Sequence, residues 1–172
     1  MLTPRKYKFL DNFRLGADGK YIYTGDVYSF KGDYKRAYLI MSAMCVALAL
    51  AVIGSGLINA AGMNNSFYVI IPYVLEVICL FAVLWSSSRV IYAGQKVRAY
   101  IYEPGIPRII SGAFALSLFS VCSLIGSAVF TVLHGFESKT SKCIIFWALE
   151  LVTVPLGIAL SRFVKKLEWE KL

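Results

Sequence analysis

The stretch Phe67–Val90 reads FYVIIPYVLEVICLFAVLWSSSRV and decides the fold, because it is long and apolar enough to cross a membrane as one helix. At about 1.5 Å per residue, such a helix spans a hydrocarbon core of roughly 30 Å. Glu76 lies near its middle, where a charged side chain costs roughly 2.5–3.5 kcal/mol on insertion scales. We therefore expect Glu76 to have a structural or functional role.

Three more apolar blocks of similar length accompany this stretch. Of the 172 residues, 58% are hydrophobic and 16% are charged, whereas a soluble domain carries about 25% charged residues. This composition predicts an all-α integral membrane protein, a four-transmembrane-helix bundle with spans at about 37–61, 67–90, 109–133 and 143–164. The first span is too long for a signal sequence, so we expect it to remain in the mature protein.

The segments outside the spans are short and polar. Residues 1–36 form a predicted N-terminal segment and residues 165–172 a predicted tail. Residues 13–30 alternate aromatic and polar side chains around the turn signal Ala17-Asp18-Gly19. This alternation predicts a small β-hairpin-like element with one face made by Phe13, Leu15, Tyr21 and Tyr23.

Residues 91–100 (IYAGQKVRAY) could extend the second helix beyond the membrane. The proline-containing stretch at residues 103–107 (EPGIP) is predicted to end any such extension, since proline lacks the N–H that a helix needs.

The distribution of basic residues predicts the orientation. Eight Lys and Arg residues lie in the N-terminal segment, four at residues 89–108 and four from residue 162 onward, whereas the two remaining turns hold none and two. Short loops rich in Lys and Arg stay in the cytoplasm. We therefore expect a cell (plasma) membrane protein with cytoplasmic N- and C-termini.

Contacts with anionic lipid headgroups are predicted for Arg36, Arg89, Arg108, Arg162, Lys165 and Lys166. The sequence shows no folded basic module, so we expect no nucleic-acid partner.

Two predicted helices carry small or polar side chains on one face. In the first span these residues recur every four positions, at Ala43, Ala47, Ala51 and Ser55, and Asn59 continues the row. Small side chains let another helix approach closely, either within this bundle or in another subunit. In the third span, a small and polar face is predicted to turn inward, toward a helix or a wet cavity; its residues are Ala113, Ser117, Ser120, Ser127 and Thr131.

A parallel duplication of a helical hairpin is a further hypothesis. The matching segments are IGSGLI at 53–58 with IGSAVF at 125–130, offset by 72, and YVLEVI at 73–78 with WALELV at 147–152, offset by 74. Such a duplication predicts a pseudo-two-fold axis along the membrane normal. It also places Glu76 and Glu150 at similar depth, close to the midplane.

Three interpretations of these two glutamates remain open at this point. They could be protonated and hydrogen-bonded packing residues, polar contacts to another membrane subunit, or a proton- or cation-coupled pair lining a path across the membrane. The candidate intramembrane polar residues are Glu76, Glu150, Asn59, Ser120 and Ser127.

No catalytic motif accompanies them. There is no phosphate-binding glycine loop, no G-x-S-x-G nucleophile elbow and no His/Cys/carboxylate group with metal-site spacing. We expect neither a cofactor nor a metal, and an enzyme is the less favoured class. The cysteines form no C-x-x-C pair, and we expect those within the spans to pack as small apolar residues.

Two functions fit these features. The first is a non-catalytic accessory or scaffold subunit of a larger membrane assembly, which contacts its partners through small-residue helix faces and the intramembrane carboxylates. The alternative is a small oligomeric transporter or channel that uses Glu76 and Glu150 for proton or cation coupling. Membrane lipids, other membrane subunits or further copies of the chain are the expected partners.

Overall fold

Four long apolar helices form most of the computed structural model, which describes residues 12–15, 21–58, 62–135 and 140–172. They are α1 (Tyr34–Leu57), α2 (Phe67–Ala93), α3 (Ala99–His134) and α4 (Thr140–Lys165). Each is long and apolar enough to cross a membrane, which confirms the predicted four-helix membrane architecture.

The helices form a ring in which each one packs mainly against two others. Helix α1 packs against α2 and α4, and α3 packs against the same two helices, so that α1 and α3 lie diagonally opposite, as do α2 and α4. The ring encloses a core of fully buried side chains, among them Met41, Leu48, Leu80, Leu116 and Leu160. Large apolar side chains also cover the outer faces, as expected for helices surrounded by lipid rather than water.

Two glycines allow adjacent helices to approach closely. A side chain at Gly126 of α3 would collide with the backbone carbonyl of Tyr68 in α2. A side chain at Gly157 of α4 would collide with the backbone carbonyl of Ala113 in α3. Small residues at such contacts are typical of membrane helix packing.

The connection between α2 and α3 differs from the sequence prediction. Helix α2 ends at Ala93, since Gly94 adopts a φ of 76° that favours glycine and ends helices. Only residues 91–93 of the stretch 91–100 therefore extend the second helix. Helix α3 then begins at Ala99 rather than near residue 109, and it contains Pro104 and Pro107. The two prolines lie close to the helix end, where a freed backbone carbonyl can be hydrated or bonded by a side chain.

The predicted N-terminal hairpin pairing is confirmed. Strand β1 (Phe13–Leu15) pairs antiparallel with β2 (Tyr21–Tyr23), which places Phe13 opposite Tyr23 and Leu15 opposite Tyr21. The Phe13 and Tyr23 rings meet edge to face, 5.2 Å between centroids. The turn at residues 17–19 lies outside the described residues.

A second, three-stranded sheet was not predicted. Strand β3 (Val27–Phe30) lies between β4 (Lys96–Arg98) and β5 (Trp169–Lys171) and pairs antiparallel with both. It joins the N-terminal segment, the α2–α3 connection and the C-terminal tail at one end of the bundle, so the tail is not a free extension. We call it the three-stranded sheet.

Side-chain contacts reinforce this sheet. The Trp169 ring packs against the rings of Phe30 and Tyr102, with centroids 5.4 and 5.1 Å away. Lys171 Nζ lies 2.6 Å from Asp26 Oδ2, and this hydrogen bond raises the pKa of Lys171.

Candidate functional site: a buried carboxyl pair

The carboxyl groups of Glu76 and Glu150 lie beside each other inside the bundle. They come from α2 and α4, the diagonally opposite helices, and both side chains are fully buried. Glu76 lies nine residues into α2 and Glu150 ten residues into α4, which places each roughly 14–15 Å from its helix start. The pair therefore occupies the middle of the apolar layer.

Helix α3 supplies the hydrogen-bond donor for Glu150. Ser120 Oγ lies 2.5 Å from Glu150 Oε2 and 3.1 Å from the backbone carbonyl oxygen of Glu150. A hydroxyl that donates to a carboxylate stabilises its charged form. The second acceptor matters too, because the Ser120 hydroxyl retains a partner even without the Glu150 carboxyl.

Helices α1 and α2 supply two more hydroxyls beside the carboxyls. Those of Ser55 and Tyr73 lie near the pair, yet both donate to the backbone carbonyl of Val52, at 2.9 and 3.0 Å. Gly56 makes room for the Tyr73 ring, since a side chain there would collide with the Tyr73 hydroxyl. All four helices thus contribute to one polar cluster at mid-depth.

Glu76 is the less satisfied member of the pair. Among the described residues, neither of its carboxyl oxygens has a hydrogen-bond donor, and the same holds for Oε1 of Glu150. Two carboxylates can only accept hydrogen bonds, so a bond between them forms only when one carries a proton. Adjacent carboxylates shielded from water also disfavour simultaneous ionisation. The closed bundle therefore needs at least one proton on the pair.

The asymmetry coincides with a departure from the proposed repeat. With the offset of 72, the position in α1 that matches Ser120 is Leu48, a fully buried apolar residue. A leucine cannot give Glu76 the hydrogen bond that Ser120 gives Glu150.

Other contacts follow the repeat more closely. Tyr73 and Trp147, offset by 74, each donate across their own hairpin: Tyr73 to the carbonyl of Val52, and Trp147 Nε1 to Ser127 Oγ at 2.9 Å. Ser55 and Ser127, offset by 72, each bond a carbonyl three residues back, at 2.9 and 2.8 Å. The duplication itself remains a hypothesis.

A row of buried hydroxyls continues from the pair along α3. We call it the α3 polar face; it consists of Ser117, Ser120, Ser123, Ser127 and Thr131, all buried. These residues cover about 21 Å of helix. Ser117 Oγ donates to the carbonyl of Val154 in α4 at 3.0 Å, whereas Ser123 Oγ has no hydrogen-bond partner within the described part of the chain.

The structure separates the predicted site residues into groups. It brings Glu76, Glu150 and Ser120 together, while Ser127 lies about two turns away and bonds Trp147. Asn59 lies outside the described residues. Sequence reasoning missed Tyr73, although its position three residues before Glu76, like that of Trp147 before Glu150, was a usable signal.

The predicted small-residue face of α1 is divided between the interior and the surface. Ala51 and Ser55 are buried, with Ser55 beside the carboxyl pair, whereas Ala47 is half-buried and Ala43 is exposed. The residues predicted to contact lipid headgroups are all exposed: Arg36, Arg89, Arg108, Arg162, Lys165 and Lys166. Over the described ranges, no group of three or more His, Cys, Asp or Glu side chains could hold a metal ion.

Fold and site together define a class: a four-helix polytopic membrane protein with a carboxyl pair buried on the bundle axis. No protein-family model, curated protein or solved structure matches the chain.

Proposed function

We propose that the protein is a small proton-coupled membrane transporter whose proton-binding group is the Glu76–Glu150 pair. The observation that carries the proposal is the position of Glu76, which is fully buried beside a second carboxyl and has no hydrogen-bond donor among the described residues. Ionisable groups inside a membrane bundle mark proton or ion pathways.

Proton binding and bundle closure are coupled in this proposal. Ser120 stabilises charge on Glu150, so the shared proton resides on Glu76. In the closed bundle, the protonated carboxyl of Glu76 donates a hydrogen bond to Glu150. When the helices separate toward one side, water hydrates both carboxyls and the proton can leave. Closure then requires either a proton or another cation, since two bare carboxylates repel each other in an apolar interior.

This coupling suggests what is carried. A deprotonated pair bears two negative charges, which attract a cation and reject an anion. We therefore propose exchange of protons for a cation. The α3 polar face supports a route to the pair, because its hydroxyls can bond water molecules or a partly dehydrated ion in an opened bundle.

Proton flux into liposomes tests this function. The purified protein is reconstituted with a pH-sensitive dye inside the vesicles, and a pH gradient is imposed with and without a counter-gradient of monovalent cations. We expect cation-dependent proton flux that Glu76→Gln and Glu150→Gln each abolish. Glu103→Gln is the matched control, because Glu103 is exposed near the start of α3. Absence of flux in the wild type, or unchanged flux in both glutamine variants, would contradict the proposal.

The accessory-subunit function is the second candidate, and a different observation favours it. Ala43 is exposed on α1 and Ala47 is half-buried, so part of the small-residue face is open to a helix of another subunit. The buried carboxyls are not accessible for such a contact. Affinity purification from native membranes tests it: wild type is expected to retain a partner that Ala43→Leu/Ala47→Leu loses. A stable monomer that retains no partner would refute this role.

A further inference from the structure

A groove with a volume of about 260 Å³ opens where α1 begins and α4 ends, beside the end of β3. Its apolar surface is formed by Phe30, Ala37, Ile40, Phe163 and Leu167. Its rim carries two cationic side chains, Lys31 and Arg36, and one carboxylate, Asp33. Cationic and apolar surfaces therefore adjoin at the level where α1 emerges from its apolar stretch.

The charges of the rim favour an anion. Asp33 is already engaged, because its Oδ1 accepts hydrogen bonds from the backbone N–H groups of Lys35 and Arg36 at 3.1 and 3.2 Å. Lys31 forms only a loose ion pair with Glu170, with 3.6 Å between Nζ and Oε2 and more than half of each side chain exposed. Exposed pairs of this kind contribute little, so Lys31 is free to turn toward another anion.

The apolar surface determines the kind of anion. Ile40 lies one helical turn beyond Arg36, in the direction of the membrane interior, and faces the same groove as Phe163 and Leu167. A free phosphate would leave these side chains without a partner, whereas an acyl chain would cover them and continue into the surrounding lipid. Polar headgroups lie at the same level as the basic residues that flank a span.

We propose that this groove binds one anionic phospholipid. The lipid phosphate lies between Arg36 and Lys31, and one acyl chain lies along Ile40, Phe163 and Leu167. This site is separate from the carboxyl pair and does not depend on the proton-coupled function.

Native mass spectrometry of the full-length chain in detergent tests the site. Phosphatidylglycerol and phosphatidylcholine with identical acyl chains are titrated separately, and the fraction of protein carrying one lipid is measured. We expect tighter binding of phosphatidylglycerol, which Arg36→Gln weakens about fivefold, since one basic residue near a lipid surface contributes about 1 kcal/mol. Lys96→Gln is the matched control, because Lys96 is exposed in β4 and does not line the groove.

A second variant should change binding in the opposite direction. Glu170→Gln removes the carboxylate that competes for Lys31, so we expect stronger phosphatidylglycerol binding and unchanged phosphatidylcholine binding. Millimolar inorganic phosphate should not displace the lipid, because it cannot fill the apolar surface. The proposal is overturned if the two lipids bind equally, if Arg36→Gln and Lys96→Gln weaken binding to the same extent, or if inorganic phosphate displaces the lipid.

Discussion

Replacing both buried glutamates by methionine is expected to make the bundle more stable while abolishing proton flux. Methionine is unbranched like glutamate and fills irregular interior space. The double variant leaves no hydroxyl of the cluster without an acceptor, because Ser120 Oγ retains the backbone carbonyl of residue 150 at 3.1 Å. Ser55 and Tyr73 likewise retain the carbonyl of Val52.

The expected gain is about 2 kcal/mol in the free energy of unfolding, because a buried polar group without a hydrogen-bond partner costs roughly 1–3 kcal/mol, and replacing both carboxyls by apolar groups removes that cost. For a chain of this size, that gain raises the melting temperature by about 4–8 °C, since 1 kcal/mol corresponds to roughly 2–4 °C. Each single methionine variant should instead be less stable than the double variant, because it leaves one carboxyl buried without the other.

The assay is unfolding in mixed micelles with increasing denaturing detergent, followed by tryptophan fluorescence, for the wild type, both single variants and the double variant. The four free energies form a double-mutant cycle, which isolates the interaction between the two positions. A double variant that is less stable than the wild type would refute the reasoning. The carboxyl pair would then stabilise the bundle, and its burial would no longer require a functional explanation.

Three further predictions concern other parts of the molecule. Ser120→Ala removes the hydrogen bond to Glu150 and should lower the free energy of unfolding by about 1.5–3 kcal/mol, measured by the same assay. An unchanged free energy would mean that the 2.5 Å contact contributes nothing to stability. Gly126→Ala should destabilise the bundle by about 1–3 kcal/mol, because its new methyl group meets the backbone of Tyr68. Gly54→Ala should change stability less, because its methyl group meets only a Leu149 methyl group at 3.3 Å. Equal effects would contradict the close approach of α2 and α3. Ser29→Cys/Glu170→Cys should form a disulfide on mild oxidation, because these residues are opposite each other in β3 and β5. Gel mobility, compared with each single variant, detects the crosslink, and its absence would contradict that register.

The four helices could be predicted because their signal is strong and local. Long apolar runs such as Phe67–Val90 fit few structures other than a membrane-spanning helix. The shared depth of Glu76 and Glu150 follows from counting residues along these helices. The start of α3 could not be predicted well, since Pro104 and Pro107 usually indicate a helix end. Near the end of a long helix, however, losing a backbone hydrogen bond is tolerated.

The remaining features depend on contacts between distant parts of the chain. Strands β3, β4 and β5 have three or four residues each, too few for a periodic pattern, and they pair only after the helices bring them together. Hydropathy likewise does not tell which face of α2 points toward α4. The meeting of Glu76 with Glu150 therefore required the packed bundle, as did the distinction between the buried Ser55 and the exposed Ala43.

The three-stranded sheet makes the two ends of the bundle mechanically unequal. Its strands adjoin the start of α1, the connection between α2 and α3, and the end of α4, so the helices cannot separate at this end without breaking strand hydrogen bonds. At the opposite end, no strand within the described ranges joins the helices. We therefore expect the helices to separate more easily at the opposite end than at the sheet end. If the pair exchanges protons as proposed, we expect water to reach Glu76 and Glu150 more readily from the end opposite the sheet, so that proton exchange with that side of the membrane is the faster of the two.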